Sequence, residues 1–248
     1  MRYFIFLAYD GTEYHGWQYQ PNAMSVQQRL QEALSVLLDG DVSCVGAGRT
    51  DTGVHARMMV AHFDTDEAVD TDRLVFKLNG LLPSDISVYR VVPVLADAHA
   101  RFSALSRRYR YYISLRKDPF NVRYVARMYY TLDFDVMNRA AALLLRYDDF
   151  GSFCKAHSDN KTNICHVTQA RWMRQDEDVY CFEITADRFL RNMVRAIVGT
   201  LLDVGRGKIT LGQFEEVIQS GDRCVAGDSV PAQGLFLEEI SYPQDIFI

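Results

Sequence analysis

One carboxylate and one guanidinium lie close together in a short stretch bounded by glycines. The stretch reads GRTDTGVHA from Gly48 to Ala56, with Asp51 two residues after Arg49. Apolar runs precede and follow it, so it is predicted to be a loop that joins two strands. A neighbouring guanidinium favours the ionised form of a carboxylate. Asp51 is therefore a candidate anionic group, and an Asx turn closed by glycine is the structural alternative.

Composition limits the class of protein. The chain has 248 residues, a formal net charge of −5 and 48% hydrophobic residues, enough for one large domain or two small ones. Its five cysteines form no CxxC pair and their number is odd, so we expect free thiols in a reducing compartment. No apolar run approaches the ~20 residues that a membrane-spanning helix needs. These features favour a cytoplasmic protein that does not contact a membrane.

The two halves of the chain show the same predicted order of elements. In the first half the order is strand, helix, strand, strand, helix and strand, at 2–9, 25–38, 42–47, 58–64, 71–82 and 86–94. In the second half the corresponding ranges are 107–115, 134–146, 167–173, 179–186, 189–204 and 235–241, with an extra helix at 211–219. Residues 148–166 are predicted to be a long loop.

This βαββαβ order is the split unit of ferredoxin-like folds. We therefore predict an α+β fold with two such halves, antiparallel sheets, helices on the outer face and an active-site cleft between the halves. Residues 1–104 would form the N-terminal half with the Asp51 loop. Residues 105–248 would form the C-terminal half.

The stretch from His99 to Arg127 is rich in basic residues. It contains eight lysines and arginines and a single acidic residue, Asp118. Aromatic residues alternate with these cations in the predicted strand at 107–115, where they include Tyr109. Such a combination suits RNA, because guanidinium groups bind phosphates and aromatic rings stack on bases. An edge strand protected by charge is the alternative.

Three further arginines follow a helical spacing at the predicted helix 189–204. Arg188, Arg191 and Arg195 lie at i, i+3 and i+7, which would place them on one ridge. They could be an ordinary solvated face, or one of them could reach an anion such as Asp51. The sequence leaves both readings open.

Three classes of function fit these patterns: an RNA-modifying enzyme in which Asp51 acts on a flipped nucleotide, a non-catalytic RNA-binding protein with two RRM-like modules, and an aspartic protease. The second lacks an RNP1-type segment. The third needs two carboxylates that share a proton, and the chain has no second Asp-Ser/Thr-Gly. Nucleotide-binding, metal-binding and hydrolase motifs are also absent from the sequence.

Seven ordered motifs resemble those of the tRNA pseudouridine synthase A family, and the resemblance covers essentially the whole chain. The motifs are YDGTxYxGWQ at 9–18, GRTDxGVHA at 48–56, NxLLPxDI at 79–86, ARFSA at 100–104, RYRY at 108–111, DFxSF at 149–153 and FxxxMVRxIVG at 189–199. The chain departs from the family pattern at Thr52, where alanine is more usual, and at Gln233. Neither position carries a role in the reaction.

The resemblance implies a role for five residues. Asp51 would be the catalytic aspartate, and Tyr109 the active-site tyrosine that stacks on the target base. Arg195 would pair with the aspartate, and Arg49 would help to hold the displaced nucleotide. Leu235 would line the same pocket.

The resemblance also implies the reaction and the partners. The family isomerises uridine to pseudouridine at positions 38–40 of tRNA, in the anticodon stem-loop. It acts as a homodimer and uses no metal and no small-molecule cofactor.

Overall fold

The structure is a computed structural model and describes residues 1–155 and 161–248. Within these residues the chain forms five α-helices and nine strands that pair mostly antiparallel, which confirms the predicted α+β class. Contacts divide the chain into an N-terminal unit, residues 1–106 with 236–248, and a C-terminal unit, residues 107–235. The predicted boundary had assigned 236–248 to the C-terminal half.

The elements occur in the following order along the chain. Up to residue 106 they are β1 Arg2–Tyr9, α1 Val26–Leu37, β2 Cys44–Gly46, β3 His55–Asp64, α2 Thr71–Leu81 and β4 Ile86–Val94. They continue with β5 Ser106–Ser114, β6 Ala126–Arg127, α3 Phe134–Leu143, β7 Val167–Arg174, β8 Val179–Ala186, α4 Met193–Gly205, α5 Leu211–Ser220 and β9 Leu235–Ser241.

Strand β1 is the centre of the N-terminal unit. It pairs antiparallel with β3 on one side and β4 on the other, and β2 pairs with the end of β3. Residues of β1 are buried on both faces, because the aromatic rings of Tyr242 and Phe247 pack against Phe4. The C-terminal residues 236–248 thus complete the core of this unit.

The beginning of β3 carries the first correction to the predicted elements. The strand was predicted at 58–64, yet it starts at His55, directly after the Asp51 loop. The extra residues are held by partners distant in sequence: Ala56 pairs with Tyr9, and His55 lies parallel to Phe236. Pairing of this kind cannot be read from local periodicity.

Helix α1 begins close to the predicted residue and has one of the two hydrogen bonds of a capping box. Ser25 accepts a hydrogen bond from the backbone N of Gln28 at 3.2 Å. In a complete capping box the Gln28 side chain would also bond to the backbone N of Ser25. Here the Gln28 side chain donates to Glu32 instead.

In the C-terminal unit β8 lies between β5 and β7 in an antiparallel arrangement, and the two-residue strand β6 runs parallel to the end of β5. Helix α3 packs against β7 and α4. The predicted loop 148–166 contains a 3₁₀ turn at Gly151–Phe153 and an isolated bridge between Asp149 and Ile164. Its residues 156–160 lie outside the described residues.

Helix α4 starts at Met193, four residues later than the predicted start at 189. Asn192, directly before it, adopts a left-handed backbone conformation with φ of 67°, which asparagine tolerates better than most residues. Its side chain donates to Ser229 Oγ at 2.6 Å. Arg188 and Arg191 therefore precede the helix, and the predicted helical ridge with Arg195 does not form.

One buried acidic side chain neutralises part of the positive charge on the strands of the C-terminal unit. Glu183 in β8 is buried and accepts from Arg110 at 2.7 Å and from Arg171 at 3.0 Å. Burial acts to raise the pKa of Glu183, but the hydrogen bonds from both arginines bring it below its usual range. Arg110 therefore supports the sheet, although the sequence had grouped it with residues suited to RNA.

His62 is a buried titratable group in β3. Its Nδ1 accepts a hydrogen bond from the backbone N of Ala100 at 3.2 Å, and the edge of its ring meets His99 at 4.6 Å between centroids. Burial, together with repulsion from His99 and Arg2, lowers the pKa of His62 from 6.5 to about 4. The folded protein thus holds His62 neutral.

This neutral histidine predicts a loss of stability in weak acid. Between about pH 6.5 and pH 4 the unfolded chain binds a proton at His62 that the folded chain does not, so stability falls as pH falls through this window. We expect the free energy of unfolding in urea to drop by about 2 kcal/mol from pH 7 to pH 4.5. His62→Asn should flatten that dependence. An unchanged slope in the variant would contradict the assignment.

All five cysteines lie within the described residues and are free thiols, as the sequence predicted. None of the helices in residues 1–155 and 161–248 is long and apolar enough to cross a membrane.

Candidate active site

The Asp51 loop connects β2 to β3, as predicted. Asp51 is half-buried, Thr50 before it is buried, and Arg49 is exposed. Gly53 has a φ of 76°, and the backbone N of Val54 donates to Asp51 O at 3.1 Å. The loop therefore makes a tight turn directly after Asp51, which requires the glycine at 53.

A second turn, residues 9–18, holds the backbone on both sides of Asp51. Before the aspartate, Thr50 O accepts from the backbone N of Trp17 at 3.4 Å. After it, Gly53 N donates to Tyr14 O at 3.3 Å. Gly16 approaches so closely that a Cβ there would lie 2.2 Å from Thr50 O. A side chain at residue 16 would therefore displace the loop.

Side chains add two further links between this 9–18 turn and the loop. The hydroxyl groups of Tyr9 and Thr50 form a buried hydrogen bond of 2.9 Å. His55 is buried, and its Nδ1 accepts from the backbone N of Gly11 at 3.0 Å and lies 3.0 Å from Asp10 Oδ1. No role was predicted for Tyr9, Thr50 or His55 from the sequence, although the three residues lie in the motifs at 9–18 and 48–56.

The Tyr9–Thr50 bond predicts a positioning effect. Tyr9→Phe removes one hydroxyl and leaves Thr50 Oγ1 buried without this partner, so the loop can shift. For the RNA-modifying reaction that the family resemblance implies, we expect the rate to fall about tenfold, with RNA affinity changed by less than about twofold, because a small misplacement of a reacting group costs rate. Single-turnover kinetics and filter binding measure the two quantities.

Tyr242→Phe is a matched control for this experiment. Tyr242 is also a buried tyrosine of the N-terminal unit, and its hydroxyl donates to Ala100 O away from the loop. Both variants lose one buried hydrogen bond, which costs about 1 kcal/mol of stability. An equal fall in turnover in both variants would show that the effect is general destabilisation rather than positioning.

Tyr109, Arg195 and Leu235 belong to the C-terminal unit. Tyr109 in β5 is half-buried, and its ring meets the Phe189 ring edge-on at 5.1 Å between centroids. Arg195 lies in the first turn of α4, where its Nε donates to Val230 O at 2.7 Å. Val230 N in turn donates to Arg195 O at 3.2 Å. This reciprocal pairing fixes the direction of the guanidinium group.

Leu235 begins β9 and is buried. Gly234 before it is in close contact with β5, since a Cβ there would lie 2.7 Å from Tyr112 O. The predicted site residues thus fall into two sets: Arg49 and Asp51 in one loop of the N-terminal unit, and the other three in the C-terminal unit.

Comparison with known proteins shows to which family the chain is related. A family model described as tRNA pseudouridine synthase matches residues 5–103 and 140–243. The chain belongs to this family. The matched residues include Arg49, Asp51, Arg195 and Leu235, whereas Tyr109 lies between the two matched segments.

Individual members of the tRNA pseudouridine synthases resemble the chain over its whole length. It is 58% identical to tRNA pseudouridine synthase A of Bacteroides thetaiotaomicron, over 99% of this chain and 92% of that protein. It is 56% identical to the protein of that name from Porphyromonas gingivalis, over 100% and 99%. The corresponding Thermoanaerobacter protein (strain X514) is 42% identical, over 96% and 98%.

Side chains that could bind a metal do not cluster in the described part of this tRNA pseudouridine synthase family member. Among residues 1–155 and 161–248, no group of three His, Cys, Asp or Glu side chains is placed to hold an ion.

Proposed function

We propose that this protein isomerises uridine to pseudouridine at positions 38–40 of tRNA, in the anticodon stem-loop, with Asp51 as the catalytic residue. The observation that carries the proposal is the family match across both units, combined with the fixed backbone of the Asp51 loop. A rigid loop can hold a reacting group within the narrow geometry that catalysis needs.

The reaction conserves all atoms of the nucleotide. The bond between N1 of the base and C1′ of the ribose breaks, the base turns, and a bond forms between C5 and C1′. The proton on C5 is lost, and N1 gains a proton. Since nothing is oxidised, reduced or hydrolysed, the proposed reaction needs no cofactor.

Asp51 would act as a carboxylate. It could attack the sugar or the base as a nucleophile, or it could remove a proton from the sugar, and the proposal covers these three routes. Each of them requires an ionised oxygen at a fixed position. The hydrogen bonds at Thr50 and Gly53 supply that position from both sides.

The remaining residues would bind the substrate. Tyr109 would stack on the target base, since its ring is only half-buried. Arg49 would bind the displaced nucleotide, because it is exposed next to the catalytic loop. Arg195 would pair with the aspartate, with its guanidinium oriented by Val230 O. Leu235 would supply an apolar wall.

We also propose that each half is a ferredoxin-like unit, with the boundary near residues 104–105. The strand order β4-β1-β3-β2 in the N-terminal unit supports this proposal, because it is the order that a split βαββαβ unit produces. From β5 to β9 the second half has the same order of elements, with the two-residue strand β6 and helix α5 as additions.

A cytoplasmic homodimer is the proposed working form. The dimer comes from the family resemblance alone, and the reducing environment that five free thiols favour supports the cytoplasm. Sedimentation velocity of the purified protein tests the dimer.

Release of tritium tests the reaction directly. Unmodified tRNA that carries tritium at C5 of uridine should lose it to water when the protein acts, because pseudouridine formation breaks the C5–H bond. A protein that binds the same tRNA tightly and releases no tritium would be the RNA-binding module considered from the sequence.

A further inference from the structure

An exposed segment of the C-terminal unit carries basic and aromatic residues outside the proposed active site. This 116–129 segment runs from Arg116 to Tyr129, after β5. It contains four basic residues and a single acidic one, Asp118. Phe120 is 90% exposed and Tyr129 is 78% exposed. Two large aromatic rings exposed within one basic segment indicate a contact surface.

Hydrogen bonds hold the segment in shape although its rings are not packed. The two carboxylate oxygens of Asp118 accept from Phe120 N at 2.9 Å and from the Asn121 side chain at 2.5 Å. Asn121 O accepts from the backbone N of both Tyr124 and Val125, each at 3.0 Å. A partner that binds here therefore meets a preformed surface, which lowers the entropy cost of binding.

Buried and exposed residues alternate along β6 and the two residues that follow it. Ala126 and Met128 are buried, whereas Arg127 and Tyr129 face solvent. The Arg127 guanidinium lies 4.5 Å from the centroid of the Tyr129 ring. A cation and an aromatic face are thus presented side by side.

Part of the positive charge of the segment has no carboxylate partner. Arg116 Nε lies 3.6 Å from Asp178 Oδ2, so its charge is partly neutralised. Within residues 1–155 and 161–248, neither Lys117 nor Arg127 forms an ion pair with a carboxylate. Positive charge beside exposed rings complements a polyanion with accessible bases.

We propose that the 116–129 segment is an RNA contact surface that binds tRNA outside the pocket for the target uridine. Lys117 and Arg127 bind phosphates, and Phe120 and Tyr129 stack on unpaired bases. The inference rests on the proposed function, which supplies tRNA as the partner. A second copy of the chain is the competing occupant, but pairing two such segments would bring like charges together.

Removing the two rings tests the stacking. We expect Phe120→Ala combined with Tyr129→Ala to raise Kd and KM for full-length unmodified tRNA by about 25-fold or more, because each of the two stacked bases contributes about fivefold or more to affinity. The loss should fall on Kd and KM rather than on kcat. Phe76→Ala is the matched control, since Phe76 is 80% exposed on α2 of the N-terminal unit and should leave both unchanged.

Two substrates locate the contact on the tRNA. If the same loss occurs with an isolated anticodon stem-loop, the rings stack on bases of the anticodon loop. If the loss occurs only with the whole tRNA, they contact bases beyond that arm. Either result supports an RNA contact.

Removing the charges should change a different quantity. Lys117→Ala combined with Arg127→Ala should reduce the slope of log affinity against log salt by about 1.5, the value for two lost phosphate contacts. The ring variant should leave that slope unchanged. Equal slopes in the wild type and the charge variant would overturn the phosphate contacts.

Cross-linking decides the inference even if a variant fails to fold. Wild-type protein irradiated with tRNA that contains 4-thiouridine should yield cross-linked peptides from residues 116–129. No such peptide, together with ring-variant affinity equal to that of Phe76→Ala, would overturn the inference while pseudouridine formation by the wild type still supports the proposed function. A ring variant that loses self-association and keeps its tRNA affinity would assign the segment to a second copy. Cross-linking without pseudouridine formation would overturn the proposed function alone.

Discussion

Asp51→Asn is expected to lower the rate of pseudouridine formation by at least about a thousandfold, within the range seen when a reacting carboxylate is lost. Asparagine has nearly the same shape as aspartate but cannot act as an anionic nucleophile or base. The backbone bonds at Thr50 and Gly53 do not involve the side chain, so the loop should keep its shape. Affinity for tRNA should therefore stay within about threefold, since most of it comes from phosphate contacts.

Single-turnover release of tritium measures the rate, and filter binding measures the affinity. Asp51→Ala should behave like Asp51→Asn. Thr52→Ala is the matched control, because Thr52 is exposed in the same loop and should tolerate the change with nearly full activity. Substantial activity in Asp51→Asn would exclude a role for the carboxylate, and an equal loss in Thr52→Ala would indicate a general disturbance of the loop.

Tyr109→Ala is expected to lower kcat/KM by about a hundredfold, whereas Tyr109→Phe should stay within about threefold of the wild type. The ring is what stacks on the base, and stacking of one base contributes about five- to 150-fold to binding. Phenylalanine keeps that ring and its edge-on contact with Phe189. Alanine loses both, so binding and turnover should fall together.

Tyr109→Leu separates stacking from volume. Leucine fills part of the same space but has no aromatic face, so it should resemble alanine in kcat/KM and resemble phenylalanine in stability. Kinetics and thermal unfolding on the same preparations give both quantities. Full activity in all three variants would remove Tyr109 from the site.

The sequence predicted those elements of the fold whose residues interact locally. Helix α1 begins at its Ser25 cap, and α2 ends just before Pro83, because caps and proline act within one turn. Strand β3 and helix α4 began elsewhere than predicted. Their first residues depend on contacts with residues more than 30 positions away, at Phe236 and Ser229.

The same distinction applies to the candidate site. Local glycine spacing was sufficient to predict the loop that carries Asp51, and the turn at Gly53 confirms its form. The Tyr9–Thr50 and Gly11–His55 hydrogen bonds, which join the 9–18 turn to the loop, could not be predicted, since each links residues more than 40 positions apart. Their only signal in the sequence is that both belong to motifs shared with the family.

The measurement that tests the central claim most directly is pseudouridine mapping. Unmodified tRNA is incubated with the wild-type protein or with Asp51→Ala, with a chelator present throughout, then treated with carbodiimide and read by primer extension. The account predicts stops at the uridines of positions 38–40 with the wild type and none with the variant. No stops with either protein, despite salt-sensitive tRNA binding by both, would contradict it and leave Asp51 as part of a structural turn.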